Sequence, residues 1–194
     1  MLKLFKLICV TCLVVAAGSV FAVQITAERK KEIIALYNAN DLDGAYSLIT
    51  KITEDERDYE LWYILGNIAQ DMGNDANAVF FLQKSLKLND AFDKAHYNLG
   101  NIYLGEKRYN LAINEYKSAL KVKKDFPYYY YNLGCAYLGL KDYKHAKSAF
   151  EKAVKLKPDE ANFYYNLAYA YKNLKNDKEM KSALEAYEKL KDKQ

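Results

Sequence analysis

Along most of the chain, apolar residues return at spacings of three and four. One stretch carries Leu61, Trp62, Leu65 and Ile68, then Ala78, Val79, Leu82 and Leu86. That spacing lays a continuous apolar stripe along one side of a helix. Two amphipathic helices are therefore predicted here, parted by Gly73-Asn74-Asp75. Similar breakers stand at Gly105-Glu106-Lys107, Gly139-Leu140-Lys141-Asp142 and Lys175-Asn176-Asp177, and supply helix stops and Asp or Asn caps. The opening residues read differently. Met1 to Lys6 carry two lysines, Leu7 to Ala17 form an eleven-residue apolar run, and Gly18-Ser19-Val20-Phe21-Ala22 ends on a small residue. These are the three parts of a secretory signal peptide over 1–22, with cleavage expected after Ala22. The alternative is an uncleaved N-terminal membrane anchor, because apolar character continues through 7–23, near the lower limit of a spanning helix.

The helix pairs recur at a fixed period. Leu65-Gly66, Leu99-Gly100, Leu133-Gly134 and Leu167-Ala168 lie 34 residues apart, and Tyr103, Tyr137 and Tyr171 follow three residues after the second member, with Ala69 in the first copy. Downstream, Ala78, Ala112, Ala146 and Met180 form one ladder, Leu82, Tyr116, Phe150 and Leu184 the next, and Ser85, Ala119, Ala153 and Tyr187 a third. A period of this length predicts a stack of helical hairpins, none able to bury its apolar face alone. The expected fold class is all-α, with four full units at 59–92, 93–126, 127–160 and 161–194. Residues 23–58 form a degenerate first unit, whose repeat at 26–58 is one residue short. Ile33, Leu36, Ala45, Ile49 and Ile52 fit its apolar places, but Lys31 and Glu32 stand where Leu and Gly usually fall. Looser packing is expected there, as in an end cap.

Trp62-x-x-Leu65-Gly66, Leu133-Gly134-x-x-Tyr137 and Ala146-x-x-x-Phe150 followed by Pro158 together resemble the tetratricopeptide repeat (TPR) family. The resemblance covers most of the chain after residue 22 and implies a right-handed superhelical α-solenoid, the first helix of each hairpin lining its concave side. It further implies that residues flanking the Leu-Gly pair project into the groove. These are Tyr63, Tyr97, Tyr131 and Tyr165; then Ile64, Asn98, Asn132 and Asn166; then Asn67, Asn101, Cys135 and Tyr169, with Tyr128 and Asn162 near the edge. With the fourth unit closing at Gln194, the last helix is expected to cap itself, keeping one face polar through Lys178, Glu179, Lys181, Glu185, Glu188 and Lys189.

Composition narrows the picture. The chain has 194 residues, 51% of them hydrophobic, but only two prolines and eight glycines, which favours helices over a turn-rich sandwich or barrel. Its net charge is +4, or +2 without Lys3 and Lys6, too balanced for an electrostatic nucleic-acid binder. Of three cysteines, Cys9 and Cys12 lie in the apolar opening run; Cys135 is then the lone thiol of the exported chain, and no internal disulfide is possible.

Nineteen tyrosines are an excess that asks for a use. Tyrosine offers rigid apolar area with one hydroxyl, and asparagine an amide that pairs with a peptide backbone. The Tyr and Asn ladders therefore suit an extended segment of a partner protein bound lengthwise. They suit equally a role in orienting and packing neighbouring hairpins, and both readings stand at this point. A groove that captures a terminal carboxylate is disfavoured, since Lys94 is the lone basic candidate among its inward places. Tyr128 and Tyr129 are the expected exposed hot spots. His96 is read as packing, His145 as solvated and Cys135 as a small packed residue, so no metal site is implied. No phosphate loop or nucleophile elbow occurs, so neither catalysis nor a cofactor is expected. The expected function is an exported protein-binding scaffold, periplasmic or otherwise extracytoplasmic in a bacterium, or anchored in the inner membrane facing outward if 7–23 is retained. The alternatives are an assembly factor of a cell-envelope complex acting through the outer face or the ends, or a weak glycan binder.

Overall fold

The computed structural model describes residues 27–192; the signal-like segment 1–22 lies outside them. Among the described residues, ten α-helices and one short 3-10 turn follow one another. Helix α1 runs through 27–38, followed by α2 (Leu42–Thr50), the 3-10 turn Glu54–Glu56, α3 (Tyr59–Asp71), α4 (Asp75–Leu88) and α5 (Asp93–Gly105). Then come α6 (Tyr109–Val122), α7 (Pro127–Gly139), α8 (Tyr143–Leu156), α9 (Ala161–Asn173) and α10 (Asp177–Lys191). Each of α3, α5, α7 and α9 packs on the helix that follows it, and α5, α7 and α9 also pack on the helix before. The result is an all-α solenoid. Successive first helices touch, α5 with α7 and α7 with α9, and with α3 they form one face of the stack, its inner face.

Each hairpin turns on a single residue. Asn40, Gly73, Lys107, Lys141 and Lys175 hold φ between 58° and 72°. In the turn after α7, the Lys141 N–H donates to the Leu138 carbonyl and the Asp142 N–H to that of Tyr137, both at 2.9 Å. This is the paired Schellman closure, which satisfies carbonyls the helix end leaves open. Asp142 also starts the next helix, its side chain accepting from the His145 N–H at 3.2 Å. The helices thus run through Gly105 and Gly139, and the left-handed step falls on a lysine instead, at a cost of about 1–2 kcal/mol.

These turns also set the register of the first hairpin. Counting back from Asn40, as from the other four, puts Ile33 and not Glu32 in the place of Gly66, Gly100 and Gly134. Ile33 is fully buried and Glu32 exposed, so the hairpin keeps its apolar contact by shifting one residue.

The core repeats with the sequence. Ala78, Ala112 and Ala146 are fully buried, as are Leu82, Tyr116 and Phe150 and, one turn on, Ser85, Ala119 and Ala153. Ser85 escapes an unpaired hydroxyl by donating to the Tyr59 carbonyl at 2.7 Å. Gly100 and Gly134 exist for the large rings facing them: a Cβ at either would stand 2.5 Å from Tyr116 or Phe150. In the last hairpin the same ladder surfaces, and Leu184 is 37% exposed.

One lock is confined to a single hairpin. His96 takes the place of Trp62, Tyr130 and Tyr164, but its Nδ1 lies 2.6 Å from the Glu115 carboxylate and its Nε2 3.0 Å from the Asp90 carbonyl. Both partners only accept, so both ring nitrogens carry protons and the ring is cationic. Burial works against this charge, but the bonds to Glu115 and Asp90 outweigh it, and the His96 pKa is raised. A raised folded-state pKa gives stability that is complete below the unfolded value, about 6.5, and lost as pH climbs through the folded one. The melting temperature of the native chain is expected to fall, relative to that of His96→Phe, as pH rises through that window. Parallel pH curves for the two proteins would refute it.

Candidate functional site

The inner face is formed by α3, α5, α7 and α9, whose Tyr and Asn places come together along it. Asn98 donates from Nδ2 to Asn67 Oδ1 at 2.6 Å and reaches the Tyr63 hydroxyl at 3.5 Å. One hairpin on, Asn132 repeats this toward Asn101 Oδ1 at 2.8 Å and the Tyr97 hydroxyl at 3.1 Å. Asn166 donates to the Tyr131 hydroxyl at 2.8 Å, with the Cys135 sulfur at 3.8 Å where an asparagine carbonyl stood before. Every such bond crosses from one hairpin to the previous one. The ladders therefore glue neighbouring hairpins together, and that function consumes the asparagine donors.

It does not consume everything. Among the described residues none donates to the side-chain carbonyl oxygens of Asn98, Asn132 and Asn166, and no unpartnered side-chain polar atom is sealed away from solvent. Three acceptors in equivalent places thus stay open along the inner face. Each amide is already pinned through its nitrogen, so the oxygens are oriented before any ligand arrives.

The remaining predicted groove residues divide. Asn67 is buried, its Oδ1 accepting from Asn98 and its Nδ2 donating to the Tyr37 hydroxyl at 2.8 Å. Asn101 Oδ1 accepts from both Asn132 and Tyr116, the latter at 2.9 Å. Tyr63, Tyr97 and Tyr131 are half-buried, their rings against Phe92, Tyr129 and Phe163 at centroid distances of 5.0, 4.9 and 4.7 Å. Tyr128 is tied at the edge, accepting from Lys157 Nζ at 2.6 Å and donating to Glu160 at 3.2 Å. Tyr165 and Tyr169 are the open members, 53% and 48% exposed.

Tyr129 corrects an expectation. It is not an exposed hot spot but 3% exposed, its hydroxyl donating to Asp93 at 2.7 Å. It belongs to the ring set that covers the preceding tyrosine. Two participants escaped the sequence reading: Tyr37, which extends the network into the first hairpin, and Tyr116, which supports Asn101 from the second helix. Tyr116 was legible as a core residue, but its hydroxyl bond was not.

Burial pushes the Cys135 thiol up to about 11, so it stays protonated and unreactive near neutral pH. Among the described residues no group of three His, Cys, Asp or Glu side chains could hold a metal ion, and no helix is long and apolar enough to cross a membrane.

Comparison with known proteins agrees with this architecture. Tetratricopeptide repeat profiles match residues 59–92 and 127–160, and 149–182, while a TPR repeat profile matches 100–141. The fold is similar to that of MamA, residue 41 to the end, from Desulfovibrio magneticus RS-1, with TM-score 0.72 at 24% identity, covering 84% of this chain and 92% of that one. Another MamA crystal structure gives TM-score 0.70 at 26% identity over 80% and 94% of the two chains. MamA AMB-1 gives 0.76 at 20% identity over 86% and 91%. No curated protein sequence matches.

Proposed function

We propose that this chain, which belongs to the tetratricopeptide repeat family, holds an extended segment of another protein in its concave, tyrosine- and asparagine-lined groove. Family membership makes it a protein-interaction scaffold with a protein partner. The observation that supports the groove is the row of open carbonyls at Asn98, Asn132 and Asn166. They ask for donors, and an extended backbone presents N–H groups at regular intervals. Packed helices lie roughly 8–10 Å apart, which about three extended residues span. The flanking tyrosine rings supply apolar area to either side. The same reading puts the scaffold outside the cytoplasm of a bacterium, on the support of the signal-like order of residues 1–22.

The test is crosslinking capture from the native cell envelope. Asn98→Ala with Asn132→Ala removes two open carbonyls together with their inter-hairpin bonds, so a stability control is needed. Ser85→Ala serves, because it deletes a buried hydrogen bond to the Tyr59 carbonyl worth about 1 kcal/mol without touching the groove network. The expected result is a captured partner lost with the double Asn variant and retained by Ser85→Ala, both being helical by circular dichroism. Equal capture by all three proteins would refute the groove reading.

A further inference from the structure

We infer that the last described hairpin, α9 with α10, is a self-association surface that pairs with the same hairpin of a second copy about a two-fold axis. Interior hairpins show what this surface is built to meet. Tyr97 and Tyr131 are covered by Tyr129 and Phe163 of the next hairpin, and Tyr116 and Phe150 are fully buried. On the last hairpin the equivalent residues, Tyr165 and Leu184, are 53% and 37% exposed. With Ala168, Tyr169, Lys172 and Met180 they line a hollow of about 170 Å³. The surface thus continues the interface that joins every pair of hairpins in the stack.

Two substitutions on α10 decide what fits it. The places of Lys181 and Glu188 are held in earlier second helices by Val79, Ile113 and Lys147, and by Leu86, Leu120 and Val154. The apolar residues among these are packed in the core clusters. On α10 these places carry Lys181, a lysine as at 147, and Glu188, which also pairs within the helix with Lys191 at 2.5 Å; they stand three residues before and four after Leu184. A solvent-facing cap needs polar residues but no such arrangement of sign. Two antiparallel copies of α10 crossing beside Leu184 bring Lys181 of each opposite Glu188 of the other, two ion pairs flanking an apolar centre. A two-fold contact demands this kind of self-complementarity.

Stacking head to tail does not supply it. Counted from the turn, Glu28 and Lys31 on α1 stand in the places of Phe163 and Asn166, and both are exposed. Docked on the hollow, they would set charges against Tyr165 and Leu184 with neither the covering ring nor the bridging amide.

Sedimentation velocity of the purified full chain tests this, from about 1 μM to about 1 mM, where weak specific dimers form. Lys181→Glu and Glu188→Lys lie on the exposed helix face and leave the buried core intact. The native protein is expected to dimerise, each single reversal to weaken the dimer at least about tenfold, and the double reversal to restore it. A monomeric native protein at every concentration overturns the inference and leaves the hollow to a helix of another protein. Association indifferent to both reversals also overturns it, as does association abolished by Glu28→Lys, which would assign the contact to head-to-tail stacking.

Discussion

Phe150→Ala is expected to lower the unfolding free energy by about 3–5 kcal/mol, the range for deleting a buried aromatic ring. The ring is fully buried, faces Gly134 on α7 and belongs to the core cluster that contains Leu167 and Ala170 of α9. It is the residue through which the α7–α8 hairpin holds itself together and receives the α9–α10 hairpin. In an array whose stability is a sum of units and neighbour interfaces, losing it uncouples α9–α10 as well as weakening α7–α8. Urea unfolding followed by circular dichroism is expected to show an earlier first transition, with a reduced slope, that carries the helicity of α9 and α10. Phe150→Leu, which restores the residue found at 82 and 184, is expected to recover most of the loss. A deficit below about 1 kcal/mol for the alanine variant would mean that the ring is not the joint we take it to be.

Gly100→Ala is expected to destabilise despite improving helix propensity. Alanine in place of glycine within α5 gains about 1 kcal/mol. Its Cβ, however, would stand 2.5 Å from Tyr116 Cε1 and 2.8 Å from Cδ1. The ring has no room to retreat, being fully buried and anchored through its hydroxyl to Asn101 at 2.9 Å. Overpacking of this kind costs about 1–3 kcal/mol, and with the ring held at both ends the upper part of that range wins. The fourth full unit holds Ala168 against Leu184, which is 37% exposed and can give way, whereas a Cβ at Gly66 would still stand 2.8 Å from the buried Leu82. Tyr116→Leu, smaller and not anchored by a hydroxyl, is expected to recover part of the stability in the Gly100→Ala background while destabilising the native one, a coupling of about 1 kcal/mol or more in a double-mutant cycle. Additive effects would disprove the proposed contact. Because Tyr116 supports Asn101, which in turn receives Asn132, the strain also reaches the groove.

Most of the fold was legible because the hairpin is written in spacing. Residues 34 apart occupy equivalent places, so the buried ladders at Ala78, Leu82 and Ser85 and their successors could be placed without any structure. The face of the asparagines was legible for the same reason. Which atoms they leave free was not, because this depends on partners in the preceding hairpin. Asn67 and Asn98 look alike in sequence, yet the first has both polar atoms engaged and the second keeps an open oxygen. Tyr129 was misread because four consecutive tyrosines follow Pro127, and a helix start that differs by one residue exchanges an exposed ring for a buried one. The cationic state of His96 was hidden too. It follows from Glu115, nineteen residues away on the next helix, and from a loop carbonyl that no pattern announces.

The one-residue turns decide where this chain tolerates a change in length. An insertion at Lys107 or Lys141 would break the paired closure and rotate the following helix by about 100° against its partner, turning its apolar stripe away. Between hairpins no such closure exists. The first hairpin records the difference: Asn40 and Gly73 are 33 residues apart rather than 34, and the missing residue falls where α2 stops early and the 3-10 turn Glu54–Glu56 takes over. The stack absorbs the shorter link by ending α2 early while α3 keeps its place, and a loop or tag grafted beside Glu54–Glu56 is expected to be absorbed in the same way.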